Sequence, residues 1–133
     1  MHIKKITLHN LRIYKGENSI DFSTSPDKNL YLISGFNGFG KTTFLTSLVW
    51  CMYGKQMQGV DKVFKDRITE AGGYKNYLKS SLNRVAHTEG ENAFSVTVSF
   101  ESVDIPDVTV NELEIKRECV EGTEKLFIKI DGD

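Results

Sequence analysis

Cysteine, proline and tryptophan are all scarce in this sequence: 2, 2 and 1 in 133 residues. Cys51 and Cys119 are far apart, with no histidine or cysteine neighbour at metal-ligand spacing. That pattern speaks against a disulfide scaffold or a zinc site and predicts a reduced, cytoplasmic protein with structural thiols. The two prolines stand in Ser25-Pro26-Asp27 and Ile105-Pro106-Asp107, which read as turns. Long apolar runs are missing too. Nothing here is long enough to span a bilayer or to act as a secretory h-region, so a soluble chain with no membrane partner is expected. Internal repeats and low-complexity stretches are also absent. A net charge of −1 gives neither sign the upper hand. It conceals an asymmetry, because residues 1–88 carry 13 Lys and Arg against 6 Asp and Glu, or +7, while 89–133 carry 4 against 12, or −8. A uniformly basic nucleic-acid module is thereby disfavoured. A basic face on the first part remains open, the alternative being that both charge sets are merely solvated.

What is present is one core and one motif. A hydrophobic content of 39% over this length is enough for a single domain. Gly35-Phe36-Asn37-Gly38-Phe39-Gly40-Lys41-Thr42-Thr43 fits the Gly-x-x-x-x-Gly-Lys-[Ser/Thr] pattern of a phosphate-binding loop. It follows the apolar run Leu30-Tyr31-Leu32-Ile33, which reads as a strand buried on both faces. It precedes Phe44, Leu45, Leu48, Val49 and Met52, which recur at helical spacing and predict a stripe packed on the sheet, with Gly54 as C-terminal cap. A polyphosphate needs several N–H donors converging from one side. Backbone freed of Cβ atoms at Gly35, Gly38 and Gly40 can wrap that closely, and the helix opening near Lys41 adds its positive end. Lys41, the candidate catalytic residue, would reach the β- and γ-phosphates of ATP. The Thr42 hydroxyl would ligate the bridging Mg²⁺, and Thr43 would face the α-phosphate side.

The chain in order predicts three parts: strands, loop and helix over 1–54, a helical segment over 55–90, and antiparallel strands over 91–133. Ile6 and Leu8 alternate with polar neighbours in a first strand ending near Leu11; Lys15-Gly16 is turn-like, and Ile20 and Phe22 mark a second strand pairing as a hairpin. Lys55 to Gly59 reads as a loop. Asp61 is placed to cap a helix through about Glu70, with Val63, Phe64 and Ile68 inward, and Gly72-Gly73 breaks it. A second helix follows, with Tyr74, Tyr77, Leu78, Leu82 and Val85 on one face and Lys75, Lys79 and Arg84 on the other. This basic face is the local candidate for DNA contact, the alternative being a solvated helix face. From Ala93 the period becomes two: Phe94, Val96, Val98 and Phe100 alternate with Ser95, Thr97 and Ser99. Val108 and Val110 keep even parity while Leu113 and Ile115 are odd, which implies a bulge or a change of buried face near Asn111. Glu121-Gly122 then turns the chain into Leu126, Ile128 and Ile130, completing a meander.

Asn10-Leu11-Arg12-Ile13-Tyr14, Gly16-Glu17, Ile20-Asp21-Phe22, the loop with its internal Asn37-Gly38, and the helix end Trp50-Cys51-Met52-Tyr53-Gly54 together resemble the N-terminal head segment of SMC-like ABC ATPases. Within that superfamily they look most like the DndD family of bacterial DNA phosphorothioate modification, with SbcC-type repair ATPases next. The resemblance covers about the first 60 residues well and the later strands by their order. It implies an α/β fold, that of a P-loop NTPase of ABC/SMC head type, with 1–133 as the N-terminal lobe carrying an antiparallel β-meander. It implies that Asn37 sits beside the γ-phosphate and that Arg12 lies near the nucleotide, the alternative for Arg12 being an exposed strand-end residue. Phe39 stands where the family usually has a small residue; only its backbone would donate to phosphate.

The same resemblance implies what is missing: an apolar strand ending in Asp-Glu, a Leu-Ser-Gly-Gly type signature and a glutamine loop. Leu126 to Asp131 imitates the first only superficially, because Lys129 interrupts the run and Gly132 takes the glutamate position. The expectation is a first lobe of a larger ATPase, with a second ATPase head, DNA and sulfur-modification subunits as partners. A non-hydrolysing nucleotide-binding lobe and a small P-loop kinase stand as alternatives.

Overall fold

A computed structural model describes residues 2–22, 32, 41–105 and 108–133, and side chains at all of these except 102–105 and 108–109. Strands β1 (His2–Leu11) and β2 (Tyr14–Asp21) come first, then helix α1 (Lys41–Tyr53) and a 3-10 helix (Gly54–Gly59). Helices α2 (Lys62–Glu70), α3 (Tyr74–Ser81) and α4 (Arg84–Thr88) follow, then strands β3 (Ala93–Ile105), β4 (Val108–Val120) and β5 (Thr123–Ile130). The strands form one sheet in the order β2-β1-β3-β4-β5, antiparallel throughout. The expected hairpin and meander are therefore one layer, joined where β1 pairs with β3. Period two gives the sheet its two faces. Ile6, Leu8, Phe94, Val96, Val98, Phe100 and Cys119 point to the helices and are buried, while Thr7, Thr97 and Lys116 share the opposite, polar face.

Three expectations about packing need correction. Of the predicted stripe α1 buries Phe44 and packs the half-buried Leu48 and Val49 against the core, but Leu45 and Met52 are exposed and Thr46, Ser47, Trp50 and Cys51 are buried instead. A helix apolar on almost every side offers no periodic signal for which side meets the sheet. The segment after Tyr53 is not an anchorless loop. Gly54 turns the backbone at φ +57, and the 3-10 helix drops Met57 into the core with no exposure. The helix predicted through Val85 is interrupted at Leu82, which is extended at φ −68, ψ 134 and bridges to Leu11. Asn83 then caps α4 by accepting from Ala86 N at 3.0 Å. The restart changes the helical phase, so Val85 is exposed while Tyr77 and Leu78 are buried.

Other signals are matched more closely. Asp61 caps α2, its Oδ1 accepting from Val63 N at 2.9 Å, and Phe64 and Ile68 are buried, although Val63 is exposed. The β3–β4 register keeps one offset from Ala93↔Val120 to Ile105↔Val108, but the ladder skips Ser102 and Asn111. Asn111 N and Glu112 N both turn to Asp131 Oδ1, so the strand is irregular near Asn111 as expected, and Val110 joins the core against which Leu113 and Ile115 pack. The first hairpin turns earlier than Lys15-Gly16, with Leu11 opposite Tyr14, and Gly16 (φ +69) instead occupies the irregularity where the register slips by one. Of the expected strand Leu30–Ile33 only Leu32 is among the described residues; it belongs to no strand and is 90% exposed.

Candidate nucleotide site

α1 starts at Lys41, so the last three residues of the motif form its first turn. Thr46 Oγ1 donates to Thr42 O at 2.8 Å within that turn. No acidic side chain occupies that first turn, where the positive end of the helix dipole lies. Lys41 and Thr42 are exposed and Thr43 is half-buried. Gly35, Asn37, Gly38, Phe39 and Gly40 lie outside the described residues.

Arg12 comes to this helix from the β1–β2 turn. Asn10 and Arg12 both have left-handed backbones, at φ 51 and 49, which only a firmly held turn sustains in residues other than glycine. The hold comes from the break between α3 and α4. Arg12 N donates to Ser81 O at 2.7 Å, Asn83 N to Asn10 O at 2.8 Å, and Asn83 Nδ2 to Arg12 O at 2.6 Å. Asn10 is buried, and its Oδ1 accepts from Gly16 N at 2.7 Å. The guanidinium lies 4.9 Å from the centroid of the Tyr77 ring, and Nη2 donates to Ser81 Oγ at 3.3 Å. Arg12 and Thr43 line one small cavity of about 10 Å³, room for a single water, together with Leu11, Ser47, Trp50 and Tyr77. Arg12 is thus a half-buried, anchored cation beside the first turn of α1 rather than a loose strand-end arginine.

The C-terminal end of α1 is held by a network that periodicity does not reveal. Arg117 on β4 donates from Nε to Cys51 O at 3.1 Å and pairs through Nη1 with Glu124 Oε2 at 3.2 Å. Tyr74 donates its hydroxyl to Glu124 Oε1 and accepts from Trp50 Nε1 at 3.0 Å. Burial, reinforced by the bond to the Glu124 carboxylate, pushes the Tyr74 phenol well above its ordinary range. The Cys51 thiol, buried under the sheet with Val96 O at 3.4 Å, is pushed by desolvation up to about 11. It is inert packing and no nucleophile at neutral pH. The one signal for this network in the sequence is the charged Arg117 on the otherwise apolar face of β4.

The first turn of α1 carries a lysine and two threonines and no acidic residue, and Arg12 lines a small cavity with the second of those threonines, a donor set that suits an anion. The class these features define is a nucleotide-binding α/β protein. The model of one family of this class, the AAA domain (AAA_23), matches residues 5–132, nearly the whole chain. The chain belongs to this family of ATPases of the SMC and SbcC kind, whose shared property is nucleotide binding. No curated protein matches the chain. Among the described residues no helix is long and apolar enough to cross a membrane.

Proposed function

We propose that this chain is the ATP-binding lobe of an SMC-like, DNA-processing ATPase head with the P-loop fold, and that its pathway is bacterial DNA sulfur modification of the DndD kind. SbcC-type repair or phage defence is the alternative pathway, and a non-hydrolysing regulatory lobe the alternative activity. The observation that supports the nucleotide site is that Arg12, anchored on Tyr77 and Ser81 of α3, lines one small cavity with Thr43 of the first turn of α1. The donor set fits a Mg²⁺-bound polyphosphate. ATP with Mg²⁺ would supply the phosphoanhydride and the bridging cation. Lys41 would neutralise the outer phosphates, Thr42 would offer its hydroxyl to the metal, and Thr43 and the backbone of Gly35, Asn37, Gly38, Phe39 and Gly40 would position the phosphate chain. Arg12 adds a second cation held in place before ligand arrives, so little side-chain entropy is lost on binding.

This lobe has no counterpart of the magnesium carboxylate, the signature or the glutamine loop of such heads. The isolated chain is therefore expected to bind Mg²⁺-ATP weakly and to turn it over immeasurably, because phosphoryl transfer needs a positioned water and charge stabilisation from the far side. Titration with a fluorescent ATP analogue tests the site: Lys41→Ala should abolish binding and Lys41→Arg should weaken it, since a planar fork does not replace a compact ammonium. Unchanged affinity in both variants removes Lys41 from the site. Phosphate release by the isolated chain that disappears in Lys41→Ala would overturn the half-site reading.

In the complete protein two heads would close over two nucleotides and act on DNA. The exposed cations Lys62, Lys65 and Arg67 on α2, Lys75 and Lys79 on α3 and Arg84 on α4 support a phosphate-contacting surface. Lys79, Arg84 and His87 line one open depression of about 370 Å³. Binding there should be salt-dependent and largely indifferent to sequence. If a Lys75/Lys79/Arg84 triple alanine variant of the complete protein keeps the parent's DNA affinity and salt slope, these helices are only solvated faces.

A further inference from the structure

Two open depressions adjoin at the break between α3 and α4, and Lys79, Leu82 and His87 line both of them. They differ in chemistry. The first, of about 370 Å³, is completed by Ser80, Arg84 and Thr88, and among the described residues no carboxylate lines it. Ser80 and Thr88 already donate their hydroxyl protons to Tyr77 O and Val85 O, at 2.8 and 2.7 Å. Lys79 and Arg84 are exposed and take part in no ion pair or side-chain hydrogen bond among the described residues, which leaves two unmet cations in this chamber.

The second chamber, of about 390 Å³, is apolar within and polar at its rim. Leu78, Phe94 and Cys119 line it and are buried, while Asn92 and Glu121 line it and are exposed. Asn92 Nδ2 donates to Glu121 Oε1 at 3.0 Å, which holds the rim together. The one charge that belongs to this chamber and not to its neighbour is the Glu121 carboxylate. The pair therefore has a polarity. A phosphate is drawn to Lys79 and Arg84 and repelled from the Glu121 side, where apolar surface favours a neutral body instead.

We propose, resting on the reading that this face meets DNA, that the two chambers take one unpaired nucleotide of a DNA strand, its phosphate at Lys79 and Arg84 and its base against Leu78, Leu82 and Phe94. A nucleotide joins an anion to a largely apolar ring through a single sugar, and adjoining chambers of opposite chemistry accommodate that combination. A duplex gains less here. Its phosphates can reach Lys79 and Arg84, but its bases are paired and stacked, and a row of phosphates gains nothing from apolar walls beside a carboxylate. The substrate class is thus single-stranded or locally opened DNA, a refinement that phosphate contact alone does not imply.

Fluorescence anisotropy of the 133-residue chain with three labelled ligands of one length tests the proposal. They are oligothymidylate, its duplex with oligoadenylate, and an abasic strand that keeps sugars and phosphates but lacks bases. Oligothymidylate should bind about tenfold more tightly than either of the others, the scale of one base taken up by a protein. The double variant Lys79→Ala, Arg84→Ala should weaken binding of all three and flatten its salt dependence. Asn92→Trp, at an exposed rim position, should obstruct the apolar chamber and bring oligothymidylate down to the affinity of the abasic strand. Free thymidine monophosphate should compete only at far higher concentration, because the flanking phosphates of a strand also meet the surrounding cations. Equal affinity for all three ligands overturns the proposal while leaving a phosphate-contacting face in place; no affinity for any of them overturns both. A preference for oligothymidylate that survives Asn92→Trp puts the base elsewhere, and competition by the free nucleotide at the strand's own concentration assigns the chambers to a free nucleotide. Either result also overturns the proposal.

Discussion

Arg12 does two jobs, and they separate experimentally. Its guanidinium sits over Tyr77 and donates to Ser81, so Arg12→Ala should lower stability by roughly 1 kcal/mol in the absence of ligand, the usual scale of a partly desolvated cation–π contact. If it also faces phosphate, the same variant should weaken ATP binding by about 1–3 kcal/mol, which a melt and a nucleotide titration read independently. Cys51 makes a pH prediction. Its thiol ionises near 9.0 when unfolded and near 11 when buried, so the folded state favours the neutral form. The resulting stability is complete below pH 9.0 and is lost as pH rises toward 11. Urea unfolding over that window should show a steeper loss for the parent than for Cys51→Ala. The thiol was legible in the sequence as a small buried hydrophobe. Its contacts with Val96 O and Ile115 O, 45 and 64 residues away, were not.

Among the elements, the segments between Tyr53 and Ala93 carry more of the architecture than their polar composition suggests. Met57 is wholly buried and Val63 is 54% exposed, the reverse of what local pattern implies. Met57→Ala should therefore cost about 2–5 kcal/mol and Val63→Ala close to nothing in chemical denaturation. Gly54 permits the close approach of Arg117 to the end of α1. A Cβ there would stand 2.7 Å from Arg117 Nη1, on a backbone at φ +57. Gly54→Ala should cost roughly 1–2 kcal/mol from backbone strain alone and should loosen the Arg117 bond to Cys51 O. Asn83→Ala should cost about 1–2 kcal/mol, since one residue both caps α4 and ties down the carbonyl of Arg12. Capping chemistry at Asp61 was readable because cap and helix are sequence neighbours. The break at Leu82 was not, because its cause is a backbone bridge to Leu11 from another part of the chain.

For the molecule as a whole, the five strands make one sheet whose apolar face receives α1, the 3-10 helix, α2 and α3. α1 remains apolar on its outer side, with Leu45 54% and Met52 38% exposed. A helix with this pattern is ordinarily covered on both sides. The amino-acid sequence alone determined the phosphate-loop motif, the helix that runs on from Lys41, the cap at Asp61, the Glu121-Gly122 hairpin and the alternation of β3. Each is set by residues within a few positions of one another, where backbone sterics and short-range hydrogen bonds act. Only the tertiary structure decided which side of α1 is buried, that the two strand groups share one sheet, that Met57 is core, and that Arg12 is anchored beside Thr43. These depend on contacts between residues tens of positions apart. There, burial and hydrogen bonding choose among arrangements that local propensity leaves nearly equal in energy.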